Sequence, residues 1–191
     1  MRHRELMSQA IERDAEGQRT LFAGGDEAAR SAFAAAAELY RESWLQAPPN
    51  SYGRLVGMLK AAVLAGDPQR VADFAGSELE RADAASPVAA YAQAIVALIA
   101  GDDEGAEAHA TEMRRGSDAL ARTAGAIDAL ARRNRAGYET ALAAVVEDFE
   151  RRSEHLTGVA IADTALMLER LAASRGLAAG LRSPLLPPQA N

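Results

Sequence analysis

Along most of this chain apolar residues recur every three to four positions, and short clusters of glycine, proline and cap-type residues cut the runs apart. That period places side chains on one face of a helix, and the clusters mark where each helix ends. A first, charged helix is predicted over about 3–22, with Leu6, Ala10 and Leu21 on its apolar side and Gly24-Gly25 after it. Asp26 is expected to cap a second helix over about 27–46, on which Phe33, Ala37, Tyr40 and Trp44 share a face. Pro48-Pro49 stops it, because proline cannot continue the hydrogen-bond ladder. Asn50 or Ser51 is then expected to cap a helix carrying Tyr52, Leu55, Val56, Leu59 and Val63.

Further along, Gly66 ends that helix, and Asp67 with Pro68 is expected to start the next, the usual asymmetry of glycine after a helix and proline at its beginning. Val71, Ala75, Leu79 and Ala82 form its stripe. Ser86-Pro87 repeats the start signal before the clearest stripe in the chain, Val88, Tyr91, Ala92, Ile95, Leu98 and Ile99. A weaker helix follows over 103–115, with Ala106, Ala110 and Met113, and breaks at Gly116-Ser117. Leu120, Ala124, Ile127 and Ala131 define one more, and Tyr138, Leu142, Val145 and Phe149 another after Asn134. The last carries Ile161, Ala165, Leu168 and Ala172, with Val159, Leu166 and Met167 on its other side. A helix apolar nearly all round is covered on both faces.

One phrase punctuates these helices. Leu64-Ala65-Gly66-Asp67 returns as Ile99-Ala100-Gly101-Asp102, 35 residues on. Leu130-Ala131-Arg132-Arg133-Asn134 is a weaker echo after 32 more, and Phe22-Ala23-Gly24-Gly25-Asp26 precedes the series. A spacing near 34 is the signature of stacked helix–turn–helix units. The expectation is one all-α domain over 1–191 with eight or nine helices: a capping helix over 1–25, helix pairs over 26–155, and a capping helix with a proline-rich tail over 156–191.

The units resemble tetratricopeptide-type repeats. In that family small residues sit where the two helices of a unit cross, and here Ala94 and Ala106 flank the Gly101-Asp102 turn at about the family's spacing. Ala126 flanks the Asn134 turn, while Tyr138 takes the small position beyond it, and the family's proline at the end of the second helix is missing. The resemblance covers roughly 26–155. It implies antiparallel pairs stacked as a right-handed superhelix that holds a protein or peptide in its groove. The C-terminal third is similar to a second family. Asn134-Arg135-Ala136-Gly137-Tyr138-Glu139-Thr140-Ala141-Leu142, then Arg175-Gly176-Leu177, then Ser183-Pro184-Leu185-Leu186-Pro187 resemble in order the end of a bacterial immunity-protein family (number 49) that accompanies secreted polymorphic toxins. That likeness spans about 55 residues and implies an inhibitor that binds and neutralises one cognate toxin.

Composition narrows the readings. Hydrophobic residues make up 49% of the chain and aromatics only 5%, so much of the apolar content is alanine, the best helix former. The formal net charge of −6 argues against a general nucleic-acid binder, which needs a basic face. The absence of cysteine excludes disulfides, thiolate metal sites and a cysteine nucleophile. The charged start has no apolar signal region, and Val88–Ala100 is too short to span a bilayer. A cytoplasmic protein with no membrane segment is expected.

No catalytic motif is present, neither a phosphate-binding glycine loop nor a nucleophile elbow, so the chain is read as non-enzymatic, without cofactor or metal. His109 with Glu112, at i and i+3, reads as a solvated helix face, and His155 as a helix-end histidine. The pairs Arg114-Arg115, Arg132-Arg133 and Arg151-Arg152 lie near helix C-termini, where positive charge is stabilising by about 0.3–1 kcal/mol. Arg132, Arg133 and Arg135 could also grip an acidic partner. Tyr40, Trp44, Tyr52 and Tyr91 read as core more than as groove anchors. Arg54, Gln93 and Arg122 are polar residues on groove-lining helices. Asp163 opens the most apolar helix, and a buried carboxylate requires a partner. Backbone amides or Arg170 would satisfy it in a structural role, while a small-ligand or proton site is the functional alternative. The expected function is therefore a protein- or peptide-binding module using Arg54, Gln93, Arg122 and Asp163, with the toxin inhibitor second and a small-molecule site around Asp163 third. The last helix is covered either by the tail or by a second subunit, which makes a homodimer one expectation.

Overall fold

The short-range signals become nine helices among the described residues, 2–188, of a computed structural model. They are α1 (Arg2–Phe22), α2 (Asp26–Leu45), α3 (Gly53–Ala65), α4 (Gln69–Arg81), α5 (Pro87–Ala100), α6 (Asp103–Met113), α7 (Asp118–Ala131), α8 (Arg135–Glu150) and α9 (Asp163–Ala173). The described residues contain no strand.

Four helix starts are closed by side-chain caps. Ser86 accepts from the Ala89 amide, Asp102 from Gly105, Ser117 from Leu120 and Asn134 from Gly137. Each oxygen satisfies an amide that the helix itself leaves free. Three expected caps are different. Asp26 is the first residue of α2, behind Gly25, so it acts through its charge at the helix N-terminus. Pro68, not Asp67, precedes α4, and Tyr52 precedes α3; neither start has a side-chain cap. Asn50 instead adopts φ 65°, and its Oδ1 accepts from the Tyr52 hydroxyl. Gly66 and Gly101 end α3 and α5 at φ 94° and 77°, a left-handed conformation that glycine reaches without a Cβ penalty.

Helices adjacent in sequence pack side by side, α1 on α2, α2 on α3, α5 on α6 and α7 on α8, while α3, α5 and α7 form a row of their own. α9 lies against that row, packed on α3, α7 and α8. One contiguous core runs from Ala10 to Ala172, with Leu55, Leu59, Ile95, Leu98, Ile127 and Leu130 at its centre. Burying such a side chain contributes about 1.5–3 kcal/mol. Two glycines bring the first three helices close together. A Cβ on Gly17 would stand 2.8 Å from the Phe33 ring, and one on Gly57 would stand 2.9 Å from the Tyr40 ring.

The segment after α9 folds back over it. Leu177, Leu181, Leu185 and Leu186 pack on the core. Glu169 of α9 accepts from the amides of Ala179 and Gly180 and from the Tyr138 hydroxyl. The Ala162 amide donates to the Leu185 carbonyl. The apolar face of α9 is thus covered within the chain and needs no second subunit for its burial. The end of the expected tail, 189–191, lies outside the described residues.

Candidate functional site

The row α3–α5–α7 and the start of α9 enclose a cavity of about 210 Å³, closed on one side by the end of α8 and the irregular segment 151–162. At its floor Lys60 of α3 donates from Nζ to Asp163 Oδ2 at 2.5 Å and to Thr164 Oγ1 at 3.2 Å. Asp163 Oδ1 accepts from the Thr164 amide at 2.7 Å. The Lys60 and Asp163 side chains are only 16% and 19% exposed. Burial pulls the Lys60 ammonium down, but the charge of Asp163, aided by Tyr91 and Asp14, outweighs it and holds the pKa above the ordinary lysine value. Lys60 is therefore held in its charged ammonium form.

Behind this pair lies a second buried carboxylate. Asp14 of α1 accepts from the Tyr40 hydroxyl at 3.3 Å and is 8% exposed. Burial, then repulsion from Asp163, raises its pKa to about 7 against the opposing pull of Lys60 and Tyr40. One turn on, Gln18 is 1% exposed and accepts from the Thr157 hydroxyl at 2.5 Å, which ties α1 to the 151–162 segment.

The opposite wall is a charged triad. Arg122 of α7 and Arg152 after α8 each donate to Asp148 of α8 at 2.5 Å. Burial alone would raise the Asp148 carboxyl, but Arg152 and Arg122 together hold it below the usual range. Arg152 stacks on Phe149, its guanidinium carbon 3.8 Å from the ring centroid, and the His155 ring lies over the same phenyl at 6.2 Å. Leu120, Val145, Val159 and Ile161 supply the apolar lining.

Three polar atoms of the lining residues are buried without a partner: the Tyr91 hydroxyl, Arg122 Nε and His155 Nδ1. The Tyr91 hydroxyl lies beside Lys60 and Thr164, short of full hydrogen-bond geometry, and the residue is 7% exposed. Leaving such a group unmade costs about 1–3 kcal/mol, so three among the residues that line one cavity is a concentration of unmet hydrogen-bonding capacity.

Of the residues expected to make contacts, Arg122 and Asp163 line this cavity together. Arg54 stands elsewhere: it donates from Nε to Ser43 Oγ at 2.8 Å and meets His3 Nδ1 at 3.1 Å, joining the start of α1 to α2 and α3. Gln93 is half-buried on α5 and is not among the lining residues. Asp163 takes its partner from Lys60, 103 residues away, not from Arg170. Arg132, Arg133 and Arg135 do not stand free as a basic spot, since each is paired with a carboxylate, among them Glu107, Asp128, Asp103 and Glu139. Tyr40 and Tyr52 are core, whereas Tyr91 is both buried and part of the cavity wall.

Lys60, Asp148, Asp14 and Gln18 are the members that the apolar pattern hides. One signal for Lys60 was available: it is the single lysine in a chain with 20 arginines, and it stands inside the apolar run Leu55–Leu64. Arginine supplies the other cationic side chains, the largely buried Arg175 among them. The compact ammonium is kept where three tetrahedral donors must fit a confined space.

No protein family model, curated protein or solved structure matches this chain.

Proposed function

We propose that this chain is a non-enzymatic binding domain whose recognition site is the Lys60–Asp163 cavity. The observation that carries this reading is that three residues lining one cavity, Tyr91, Arg122 and His155, each hold a buried polar atom without a partner. A bound molecule supplies the missing partners. The charged residues are locked in pairs, Lys60 with Asp163 and Arg122 and Arg152 with Asp148, an arrangement suited to holding a ligand rather than moving a proton. The α3–α5–α7 face, where a stacked-pair protein would seat a peptide, is occupied by the chain's own α9. The cavity lined by Lys60 and Asp163 is the size of a small molecule.

A fragment library titrated into uniformly 15N-labelled protein tests this. Amide shifts for bound fragments should concentrate on positions 91, 119–123, 145–149 and 155–164. Hits spread over the outer surface, or confined to the residues around Arg54, would sink it.

A second reading, a protein-binding module or toxin inhibitor, rests on the rim. Leu156 is 73% exposed and lines the same cavity mouth as the Arg152–Phe149 stack, and arginine is among the residues enriched at interface anchors. Under this reading a Leu156→Ser variant loses the protein captured by the parent chain at equal stoichiometry while its thermal unfolding is unchanged.

A further inference from the structure

Resting on the reading of the cavity as the recognition site, we infer that its ligand is a small organic anion, a carboxylate head on an apolar body, bound by Tyr91, Arg122 and Lys60.

The hydrogen-bond inventory sets the sign. Arg122 Nε–H can only donate, a phenol can donate, and an ammonium has three donors, of which Lys60 uses two. The lining carboxylates are already engaged by donors, with lone pairs to spare. Asp163 receives Lys60 and the Thr164 amide, and Asp148 receives Arg122 and Arg152 on its two oxygens. A ligand that brings acceptors is the one that matches the donors left over on Lys60 and Arg122. The formal charges of the lining agree: Lys60, Arg122 and Arg152 face Asp148 and Asp163, an excess of one positive charge that Asp14, behind the pair, offsets in part once it ionises near pH 7. Charge-assisted bonds to a carboxylate are the strong class and suit such a site. A cationic ligand would meet three cations against two carboxylates.

The body of the ligand follows from size and lining. An engineered cavity of about 150 Å³ admits benzene, so about 210 Å³ takes a ring or branched chain with its head group. Leu120, Val145, Phe149 and Ile161 present the apolar surface for it. Pockets of this kind fix orientation with a few polar groups and gain affinity from the apolar wall.

The test compares three probes with one ring and different heads: benzoate, benzyl alcohol and benzylammonium. Each is titrated at low salt into the 15N-labelled full chain, the parent and two variants. Benzoate is expected to bind about tenfold tighter than benzyl alcohol, with benzylammonium weakest, and to shift the amides around positions 91, 122 and 164. Tyr91→Phe removes a hydroxyl that has no partner in the free protein, so folding stays intact and benzoate affinity falls about fivefold. Arg122→Lys keeps the charge, loses the Nε–H and weakens benzoate similarly. Benzyl alcohol binding in the cavity as well as benzoate, or benzoate unaffected by both variants, would overturn the anion inference and leave the cavity reading standing. If none of the three probes moves the cavity amides, the cavity reading falls and the inference with it.

Discussion

Lys60 Nζ stands 2.5 Å from Asp163 Oδ2, joining the middle of α3 to the first residue of α9 across 103 residues of sequence. This pair fixes how the C-terminal helix is seated on the α3–α5–α7 row, and it forms the floor of the cavity. Removing one member strands the other as a buried charge, while removing both does not.

Lys60→Met should therefore cost more than its area suggests. A fully buried pair loses about 3–5 kcal/mol when broken. This one keeps some contact with solvent through the cavity, which brings the expected loss to about 2–3 kcal/mol. The double variant Lys60→Met with Asp163→Leu should recover at least half of it. Urea unfolding of the parent, both single variants and the double variant closes the cycle. A double variant as unstable as the sum of the singles would contradict the pairing.

Asp14 sets the pH dependence. Its native pKa is raised from 3.8 to about 7, so between those values the native state holds a proton that the unfolded chain has released. Its contribution to stability is then fully present below pH 4 and is lost as pH rises to 7. Asp14→Asn abolishes this slope. Between pH 5 and pH 8 the stability difference should move in favour of the variant by about 2–3 kcal/mol, measured by denaturant unfolding at both pH values. A difference that stays constant would show Asp14 ionised at neutral pH.

Gly57 is a contact glycine, not a flexible one. Alanine ordinarily improves a helix interior by about 1 kcal/mol, but here its methyl meets the Tyr40 ring at 2.9 Å, and Tyr40 is 1% exposed with nowhere to turn. Gly57→Ala is expected to cost about 1–3 kcal/mol and to disturb the Tyr40–Asp14 bond. Thermal unfolding with near-UV circular dichroism reads both.

The segment from Leu177 on is the cover of α9. Ending the chain at Gly176 strips four half-buried leucines from the core and frees Glu169. The expected loss is roughly 3–5 kcal/mol, with self-association through the uncovered helix visible by sedimentation. A truncated chain that remains monomeric and as stable as the parent would show that the tail covers nothing of consequence.

Local signals carried the fold much further than they carried the site. The stripe Val88 to Ile99, the Ser86 cap and the glycines 66 and 101 mark α3 and α5 without any long-range information, because each acts within four residues. Asp26, Asp67 and Ser51 misled for the same reason: a cap-type residue beside a helix start qualifies by composition, while the observed cap depends on backbone angles. At the site, Asp163 and Arg122 were marked as polar residues on apolar or inward-facing helices. Their neighbours were not, because Lys60 and Asp163 meet only through tertiary packing, which periodicity does not encode. Asp14 and Gln18 fall in register with Ala10 and Leu21 on the buried side of α1, and polar residues in an apolar register are the trace that a buried network leaves in a sequence.

The single lysine makes the central claim open to one direct observation. In protein labelled with 15N only at lysine Nζ, one side-chain resonance reports Lys60 alone. A hydrogen-bonded ammonium signal that survives exchange with water at pH 7 and 25 °C, and that collapses in Asp163→Asn, is the result expected of the cavity floor described here. A signal like that of free lysine, lost to rapid exchange and indifferent to Asp163→Asn, would contradict it.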